Sequence, residues 1–423
     1  MGALRARRLV RPARDHGVSP SPSRPRILVV VDHFLPGEKA GGPVRSIANL
    51  IAHLHDAAEF LVLTQDRDLG DSAPYPCVHT DEWMKMAGAS VRYLAASGWR
   101  LGAVIRAVRR TPHDVLYLNS YFSPSTQYLL AARRLGLLRR SPRVVVAPRG
   151  QYGAGALALK RRKKFWNLAF ANATGVHTGL VWHATTPDEA RVIRERIRPD
   201  GRVIVAANLS AAKEPDTAHS AVAGPEPHSA APPAVAKRPG VLHVVTVARV
   251  NRMKNQSQAI ALLADLPGEL TFDLYGSFED DAYLEECRAL ARRDGTAARV
   301  RFLGPLRHAQ VAATLARYHL FFLPSLGENF GHAVYEALAA GCPVLISDRT
   351  PWRGLAERAA GWDLPLQSPD SFRRVLASCV EMDALEHQRL SRGARALAHD
   401  TAVGSVGPAR AAYQTLFQLP DVH

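Results

Sequence analysis

Short apolar runs alternate with amphipathic stretches along most of the chain. The first run, 26–31 (RILVVV), is continuous, which is typical of a strand buried on both faces of a parallel sheet. A glycine-rich loop follows at 36–43, and residues 44–54 then have the apolar spacing of an amphipathic helix. Further strands are predicted from the apolar runs at 59–64, 115–119, 144–147 and 203–206. Strands that alternate with helices indicate an open parallel α/β sheet.

The same alternation begins again at residue 241. Predicted strands lie at 241–249, 272–276, 300–304, 320–325 and 344–348. Predicted helices lie at 255–266, 280–293, 308–317 and 331–340, and two further helical stretches lie near 370–397 and 406–417. The chain therefore has a second α/β half with the same alternation of elements.

A segment without periodic apolar positions separates the two halves. Residues 209–240 are rich in Ala, Pro and Ser, which is typical of a flexible linker. The linker divides the chain into an N-terminal domain over 26–208 and a C-terminal domain over 241–400. Residues 401–423 are predicted to form a helix that crosses back to the N-terminal domain, and residues 1–25 a basic, disordered tail.

Composition limits the class of protein. The chain has 423 residues, of which 47% are hydrophobic and 22% charged, and this excludes a disordered or collagen-like chain. The four cysteines are too few for a disulfide scaffold and lack the spacing of a zinc site, so we expect a reducing, cytoplasmic environment. No apolar run approaches the ~18–20 residues of a membrane span.

The positive charge is concentrated in two segments. The formal net charge is 54 − 38 = +16, and the tail contributes to it with seven arginines and one aspartate in residues 1–26. Residues 115–187 contain eleven Lys or Arg and no Asp or Glu. A basic band of this kind predicts a polyanionic partner, and a phospholipid, a nucleic acid and a phosphorylated substrate all fit.

Residues 157–170 (LALKRRKKFWNLAF) are the most basic part of this band, with five consecutive cations next to aromatic and apolar side chains. As a helix, this segment would bind an anionic membrane surface, peripherally on the inner face of the plasma membrane; a solvated basic helix is the alternative. Basic and aromatic side chains can also stack on single-stranded nucleic acid. No nucleic-acid motif accompanies them, so no nucleic-acid partner is expected.

The segment 323–344 carries the most informative chemistry, since it runs from a strand through a loop and a helix to the next strand. Glu328 lies in the loop just after the carboxyl end of the strand, where open α/β sheets bind ligands. Residues 329–332 begin a helix, and their free backbone N–H groups are suited to bind a phosphate. Glu336 lies about one turn inside the helix, where a carboxylate can accept hydrogen bonds from a sugar diol.

Two cations are predicted to face the same crevice. Arg249 stands at the end of the strand 241–249, and Lys254 lies at the start of the next helix. Taken singly, a loop glutamate is usually solvated and a glutamate in a first helical turn usually only favours the helix dipole. The ordered set of two cations, a helix N-terminus and two glutamates instead indicates a site for a diphosphate.

These residues resemble those of the family-4 glycosyltransferases with the GT-B fold, an α/β fold in which two Rossmann-like parallel-sheet domains face each other across a cleft. The matching features are the segment 328–336 with a glutamate at each end, AGCPV at 340–344, Arg249 with Lys254 and Asn255, RFLG at 301–304, and the glycine pair 41–42. The resemblance is specific over 240–366 and looser over 26–208.

The resemblance implies a retaining, metal-independent transferase without a cofactor. It would move a sugar from a UDP- or GDP-sugar to a glycan or lipid-linked acceptor in surface polysaccharide or glycolipid synthesis. The implied catalytic residues are Arg249 and Lys254, which neutralise the leaving diphosphate, and Glu328, which holds the donor sugar. Retention without an evident nucleophile implies front-face transfer, in which a donor phosphate oxygen takes the acceptor proton. The other implied donor-binding residues are Glu336, Asn329, Phe330, Gly331, Gly304, Gly41 and Gly42.

The resemblance also implies a histidine from the N-terminal domain at the site. His33, at the end of the first strand, is the candidate, and Asn119 is a second acceptor-side candidate. Asp66 and Asp68 are spaced like a metal-binding DxD pair. They lie in the N-terminal half, away from the predicted donor site, so no metal is expected.

Other classes of protein stay open at this point. A GT-B relative such as a sugar-nucleotide epimerase or a phosphorylase would share the fold. A nicotinamide-dependent dehydrogenase would need a GxGxxG turn after the first strand, and residues 37–42 do not supply one. A non-catalytic adaptor for membranes or nucleic acid would bind with a steep salt dependence and without need of Glu328.

Overall fold

A computed structural model describes most of both domains. The described residues are 24–138, 143–152, 168–169, 171–197, 199–210, 236–278, 280–292 and 299–420. Residues 1–23 of the predicted tail, 211–235 of the predicted linker, and all of the candidate membrane segment 157–170 except residues 168 and 169 lie outside the described residues.

The N-terminal domain is an eight-stranded sheet covered by helices. Its strands are β1 (Arg26–Val30), β2 (Glu59–Gln65), β3 (Trp83–Met86), β4 (Ala89–Leu94), β5 (Val115–Asn119), β6 (Arg143–Ala147), β7 (Val181–Ala184) and β8 (Val203–Val205). Its helices are α1 (Gly42–Leu54), α2 (Leu101–Arg110), α3 (Pro124–Arg134) and α4 (Pro187–Ile197). The strand order is β3-β4-β2-β1-β5-β6-β7-β8, and every pair is parallel except the β3–β4 hairpin at one edge.

The continuous apolar run of β1 is explained by burial on both faces of the sheet. Ile27 and Val29 pack into one core with residues of α1, whereas Leu28 and Val30 pack into the other with residues of α2 and α3. The strand pairs with β2 on one side and with β5 on the other. This central position brings the glycine-rich loop after β1 to the middle of the carboxyl edge of the sheet.

The C-terminal domain is a six-stranded sheet of parallel strands. The strands are β9 (Val241–Val247), β10 (Glu269–Tyr275), β11 (Val300–Gly304), β12 (Leu320–Leu323), β13 (Val344–Ser347) and β14 (Gly361–Leu364), in the order β11-β10-β9-β12-β13-β14. The helices are α5 (Gln256–Leu263), α6 (Asp281–Ala291), α7 (His308–Leu315), α8 (His332–Ala340), α9 (Pro369–Glu381) and α10 (Ala384–Phe417). The prediction of two Rossmann-like α/β domains is confirmed.

The C-terminal helices were predicted near 370–397 and 406–417, and those boundaries are wrong. The structure places the break at 382–383, and α10 then continues without interruption through Pro408 to Phe417. Packing at both ends explains this continuity: Ala394 and Ala398 are buried in the C-terminal core, and Tyr413 and Phe417 in the N-terminal core. Tertiary contacts here override the weak helix propensity of the Gly- and Pro-containing stretch between them.

The end of α10 lies on the N-terminal domain. The Tyr413 ring is 5.2 Å from that of His183, and the Phe417 ring is 5.2 Å from that of Tyr117. Arg410 forms an ion pair with Asp56 of 2.5 Å. No helix of the described residues combines the length and apolar character that crossing a bilayer would require.

Candidate active site

A cavity of about 970 Å³ lies between the two domains. Its lining comes mostly from the loops after β1, β6, β9 and β12, at the carboxyl ends of parallel strands, where open α/β sheets bind ligands. Nine of the predicted site residues line this cavity: Gly41, Gly42, Arg249, Lys254, Glu328, Asn329, Phe330, Gly331 and Glu336.

The N-terminus of α8 opens into the cavity. Gly331 precedes the helix with φ 76°, and a Cβ there would lie 3.2 Å from Trp352 Nε1, so both backbone and space favour glycine. The Trp352 indole N–H donates to the Phe330 carbonyl (2.6 Å) and holds this turn in place. No side chain of the described residues caps the helix, so its first N–H groups can bind an anion.

Lys254 and Glu328 are in direct contact. Lys254 Nζ donates to Glu328 Oε1 at 2.6 Å, and both side chains are largely buried, at 16% and 11% exposure. The loops that carry them are joined by the backbone, since Leu326 N donates to the Met253 carbonyl (2.9 Å). The loops after β9 and β12 are therefore joined at the floor of the cavity by an ion pair between residues that lie 74 positions apart in sequence.

The glycine-rich loop approaches this floor from the opposite domain. A Cβ at Gly41 would lie 3.8 Å from Arg249 Nε, and a Cβ at Gly42 would lie 3.7 Å from His332 Cδ2. At these two glycines the backbone therefore comes close to Arg249 and to the start of α8, with no side chain in between.

Asp68 of the DxD-like pair holds the same loop by hydrogen bonds. Asp68 accepts hydrogen bonds from the backbone N–H of Glu38 (2.7 Å) and Lys39 (3.1 Å), whereas Asp66 pairs with Arg67 (2.8 Å). Neither aspartate lines the cavity. No group of three or more His, Cys, Asp or Glu in the described parts of the chain is placed to hold a metal ion.

Glu336 lies at another part of the cavity wall. Burial raises the pKa of its carboxyl from the usual 4.5 to about 7, and the nearby Arg45 of α1 opposes that rise. His308 Nδ1 is 3.8 Å from Glu336 Oε1, and burial followed by the charge of Arg45 lowers the pKa of His308 to about 4. Near neutral pH the glutamate is therefore about half ionised and faces a neutral imidazole.

Two hydrogen bonds across the cleft were not predicted from the sequence. The Ser46 hydroxyl and His332 Nε2 are 2.9 Å apart, and Asn329 Nδ2 donates to Glu189 Oε2 at 3.2 Å. Glu189 also accepts from the backbone N–H of Gly150 (2.6 Å). Nothing in the local sequence of Ser46 or Glu189 marks a site, because the partners become neighbours only when the two domains face each other.

Three predicted residues do not line the cavity. His33 lies outside it, with Nδ1 3.2 Å from the Arg67 carbonyl oxygen. Gly304 directly precedes Pro305, which is a lining residue. Asn119 is buried, and its Oδ1 accepts from Arg149 Nε at 3.1 Å, so Asn119 reaches the cavity only through that arginine. Arg149 lines the cavity and was recognised in the sequence only as part of the basic band.

The two facing parallel-sheet domains and the cavity between them define the GT-B fold. Residues 230–396 match the model of the family described as glycosyl transferases group 1. That segment includes the C-terminal wall of the cavity with both glutamates and both predicted diphosphate cations.

Part of the chain is also similar in sequence to a mannosyltransferase. A phosphatidyl-myo-inositol mannosyltransferase of Mycobacterium leprae is 28% identical over 160 residues, which is 36% of this chain. The match spans 41% of that relative's length. Its likeness is therefore confined to less than half of either protein.

Solved structures resemble the chain over nearly its whole length. A sucrose-phosphate synthase from Thermosynechococcus elongatus superposes with a TM-score of 0.67 and 15% identity, covering 93% of this chain and 100% of the other. Anabaena HepE in complex with UDP-glucose gives a TM-score of 0.63 and 18% identity, covering 94% and 100%. At these identities the likeness establishes the fold.

Proposed function

We propose that the protein is a glycosyltransferase that moves a sugar from a nucleotide-diphospho-sugar to a glycan or lipid-linked acceptor. The observation that carries the proposal is the convergence of Arg249, Lys254, Glu328 and Glu336 with an uncapped helix N-terminus on one cavity between two GT-B domains. The two cations and the helix N-terminus suit a diphosphate, Glu328 suits the donor sugar, and Glu336 suits the ribose.

The geometry suggests a division of work for the donor. Arg249 and the N-terminus of α8 bind the diphosphate and stabilise the negative charge that develops as it leaves. Lys254 is shared between that charge and Glu328, whose carboxylate orients the donor sugar. Glu336 accepts hydrogen bonds from the ribose hydroxyls when it is ionised.

We further propose membership of family 4, retention of anomeric configuration and no need of a metal. Transfer would then take place on one face of the sugar, with a donor phosphate oxygen accepting the acceptor proton. Arg249, Lys254 and the helix dipole would supply the charge stabilisation that a metal provides in other transferases. HepE is a neighbour with UDP-glucose bound, which favours a UDP-sugar among the donors, although a GDP-sugar stays a candidate.

The acceptor and the location are proposed on two grounds. The curated relative from Mycobacterium leprae is named as a mannosyltransferase of phosphatidyl-myo-inositol, a phospholipid. Residues 115–187 carry eleven cations and no acid, which suits an enzyme that works beside an anionic cytoplasmic membrane surface. Surface polysaccharide or glycolipid synthesis is the process that fits both.

The proposal is tested by ligand-induced stabilisation. The purified full chain is heated with UDP, GDP, ADP and their sugar conjugates, in EDTA throughout and with NAD as a control. A ligand that binds only the folded state raises the melting midpoint by mass action. At a ligand concentration of 100 times Kd, the free energy of unfolding increases by about 2.7 kcal/mol. A shift with one nucleotide family would support the donor site and name its base. No shift with any of them would contradict the proposal.

A matched pair of variants localises the binding. The double variant R249Q/K254Q is expected to lose nucleotide affinity by at least about tenfold in calorimetry, because two charge-assisted contacts are removed. Arg252 lies between them in sequence but points to Glu286 (2.9 Å) on α6, outside the cavity. R252Q should therefore bind like the wild type. Unchanged affinity in the double variant would place the diphosphate elsewhere.

A further inference from the structure

Arg149 is an oriented cation at the carboxyl edge of the N-terminal sheet. Its φ of 55° is in the left-handed region, which is uncommon for a residue with a side chain. Nε and Nη2 donate to Asn119 Oδ1 (3.1 and 3.0 Å), Nη1 donates to Asn208 Oδ1 (2.7 Å), and Nη2 donates to the Tyr117 hydroxyl (2.9 Å). All three of these partners are neutral.

The charge of Arg149 is not compensated in the way that neighbouring charges are. Three other cations of the cavity are held by acids, in the pairs Lys39–Asp71, Arg191–Asp188 and Lys254–Glu328, whereas Arg353 donates to the backbone carbonyls of Trp352 and Asp348. No ion pair formed by the described residues includes Arg149. Neutral amide and phenol oxygens fix the guanidinium plane but leave its positive charge available to a ligand.

The field of this cation reaches the opposite wall. Burial lowers the pKa of His332 to about 3, and the charge of Arg149 is the next largest cause. Both residues line the same cavity. The guanidinium therefore acts across the cleft rather than within its own domain alone.

Arg149 lies on the part of the cavity wall that faces the loop 328–329, where Glu328 is proposed to orient the donor sugar. The next residue, Gly150, faces Asn329, and a Cβ there would collide with the Asn329 side chain. Gln151 and Thr186 line the same wall. The proposed diphosphate cations, in contrast, belong to the C-terminal domain.

We propose that Arg149 binds an anionic group, a carboxylate or a phosphate, carried either by the donor sugar or by the acceptor. The inference rests on the proposed function, because that function assigns Glu328, the sequence neighbour of Asn329, to the donor sugar. It adds a substrate class, since an uncharged sugar transferred to an uncharged acceptor would leave this partly buried cation without a direct ion-pair partner, the nearby Glu189 being bonded to the backbone N–H of Gly150.

Two pairs of probes distinguish the sources of the anion. UDP-glucose and UDP-glucuronic acid differ only in a carboxylate on the sugar and report on the donor. Glucose and glucose 6-phosphate, titrated with and without saturating UDP, report on the acceptor. Calorimetry on the full chain is expected to give at least about tenfold tighter binding of the charged member of one pair, the range of a charge-assisted hydrogen bond.

Three variants assign any such preference to Arg149. R149M removes the cation and should abolish the preference. N208D leaves the arginine in place but puts a carboxylate on Nη1, so it should also abolish the preference, and it serves if R149M does not fold. Arg133 is a matched control, since its guanidinium is likewise held by neutral oxygens, those of Thr178 (2.8 Å) and Gly179 (3.3 Å), outside the cavity. R133M should keep the full preference.

The outcomes separate this inference from the proposed function. Nucleotide binding without a charge preference in either pair, or a preference that survives both R149M and N208D, overturns the role of Arg149 and leaves the transferase proposal standing. If no nucleotide binds, the transferase proposal fails. The glucose and glucose 6-phosphate pair measured without UDP then still decides whether Arg149 binds an anion.

Discussion

Glu336 gives the sharpest test of the proposed donor site, because its ionisation should control nucleotide-sugar affinity. Burial raises the pKa of this carboxyl to about 7. The ionised fraction is then about 10% at pH 6 and about 90% at pH 8. If only the carboxylate accepts the two ribose hydroxyls, apparent affinity scales with that fraction and should be about tenfold higher at pH 8 than at pH 6. His308, the neighbouring imidazole, does not titrate in this range because its pKa is lowered to about 4.

The assay is calorimetric titration with UDP-glucose, or with whichever sugar conjugate the stabilisation screen selects, at half-unit steps from pH 6 to 8. A sugar conjugate is preferred to UDP itself, because a terminal phosphate titrates near pH 6 and would add its own slope. The variant E336Q, which cannot ionise, should bind more weakly than the wild type at pH 8 and show no pH dependence. A flat wild-type profile, or an equal slope in E336Q, would refute the assignment of Glu336 to the ribose.

The same carboxyl should appear in the stability of the protein. Its folded-state pKa is raised above the usual 4.5, so its contribution to stability is fully present below pH 4.5 and is lost as pH rises through 7. The loss is about 3 kcal/mol, from a rise of about 2.5 pKa units at 1.36 kcal/mol each. E336Q should therefore unfold at a higher urea concentration than the wild type at pH 8 and at a similar one near pH 4.5.

Other changes have equally definite expectations. E328Q should lower kcat by at least about tenfold while changing donor Kd by less than about threefold, and equal losses in steady-state kinetics would make Glu328 only a ground-state anchor. G331A should destabilise the fold by about 1–3 kcal/mol, measured by urea unfolding, because it strains a left-handed backbone and presses on Trp352; a neutral result would mean that the turn before α8 can relax. Neutralising the five cations 160–164 should weaken binding to vesicles of anionic phospholipid in sedimentation assays, with donor binding retained. Unchanged vesicle binding would remove this segment from the membrane proposal.

Periodic burial is the part of the fold that could be predicted from the sequence. β1 is apolar at every position after Arg26 because both of its faces are covered, so its continuous run predicted a buried strand of a parallel sheet. The edge hairpin β3–β4 gave no such signal, since β3 alternates exposed and half-buried side chains and Trp83 is 42% exposed. Strands with a continuous run of aliphatic residues could be predicted, whereas the half-exposed β3 and the short buried β7, which contains His183, could not.

One wall of the candidate site could be predicted from the sequence, and the other could not. The C-terminal wall is built from consecutive residues at strand ends and one helix start, so 328–336 and 249–254 could be predicted as neighbours. The N-terminal wall depends on side chains brought together by the sheet order. Arg149 is held by Asn119, the last residue of β5, and by Asn208, which follows β8, and no spacing in the sequence indicates that these residues are neighbours. His33 looked suitable by its position after β1, yet it turns to the Arg67 carbonyl instead.

The long terminal helix has a mechanical consequence. α10 is anchored in the C-terminal core by Ala398 and in the N-terminal core by Tyr413, so any rotation of one domain against the other must bend the helix between them. That stretch contains Gly404 and Gly407, where an added Cβ would meet nothing, and Pro408, which donates no backbone hydrogen bond. Rotation of one domain against the other would therefore bend α10 at 404–408, where two glycines and a proline leave fewer side-chain and backbone contacts to distort than elsewhere in the helix.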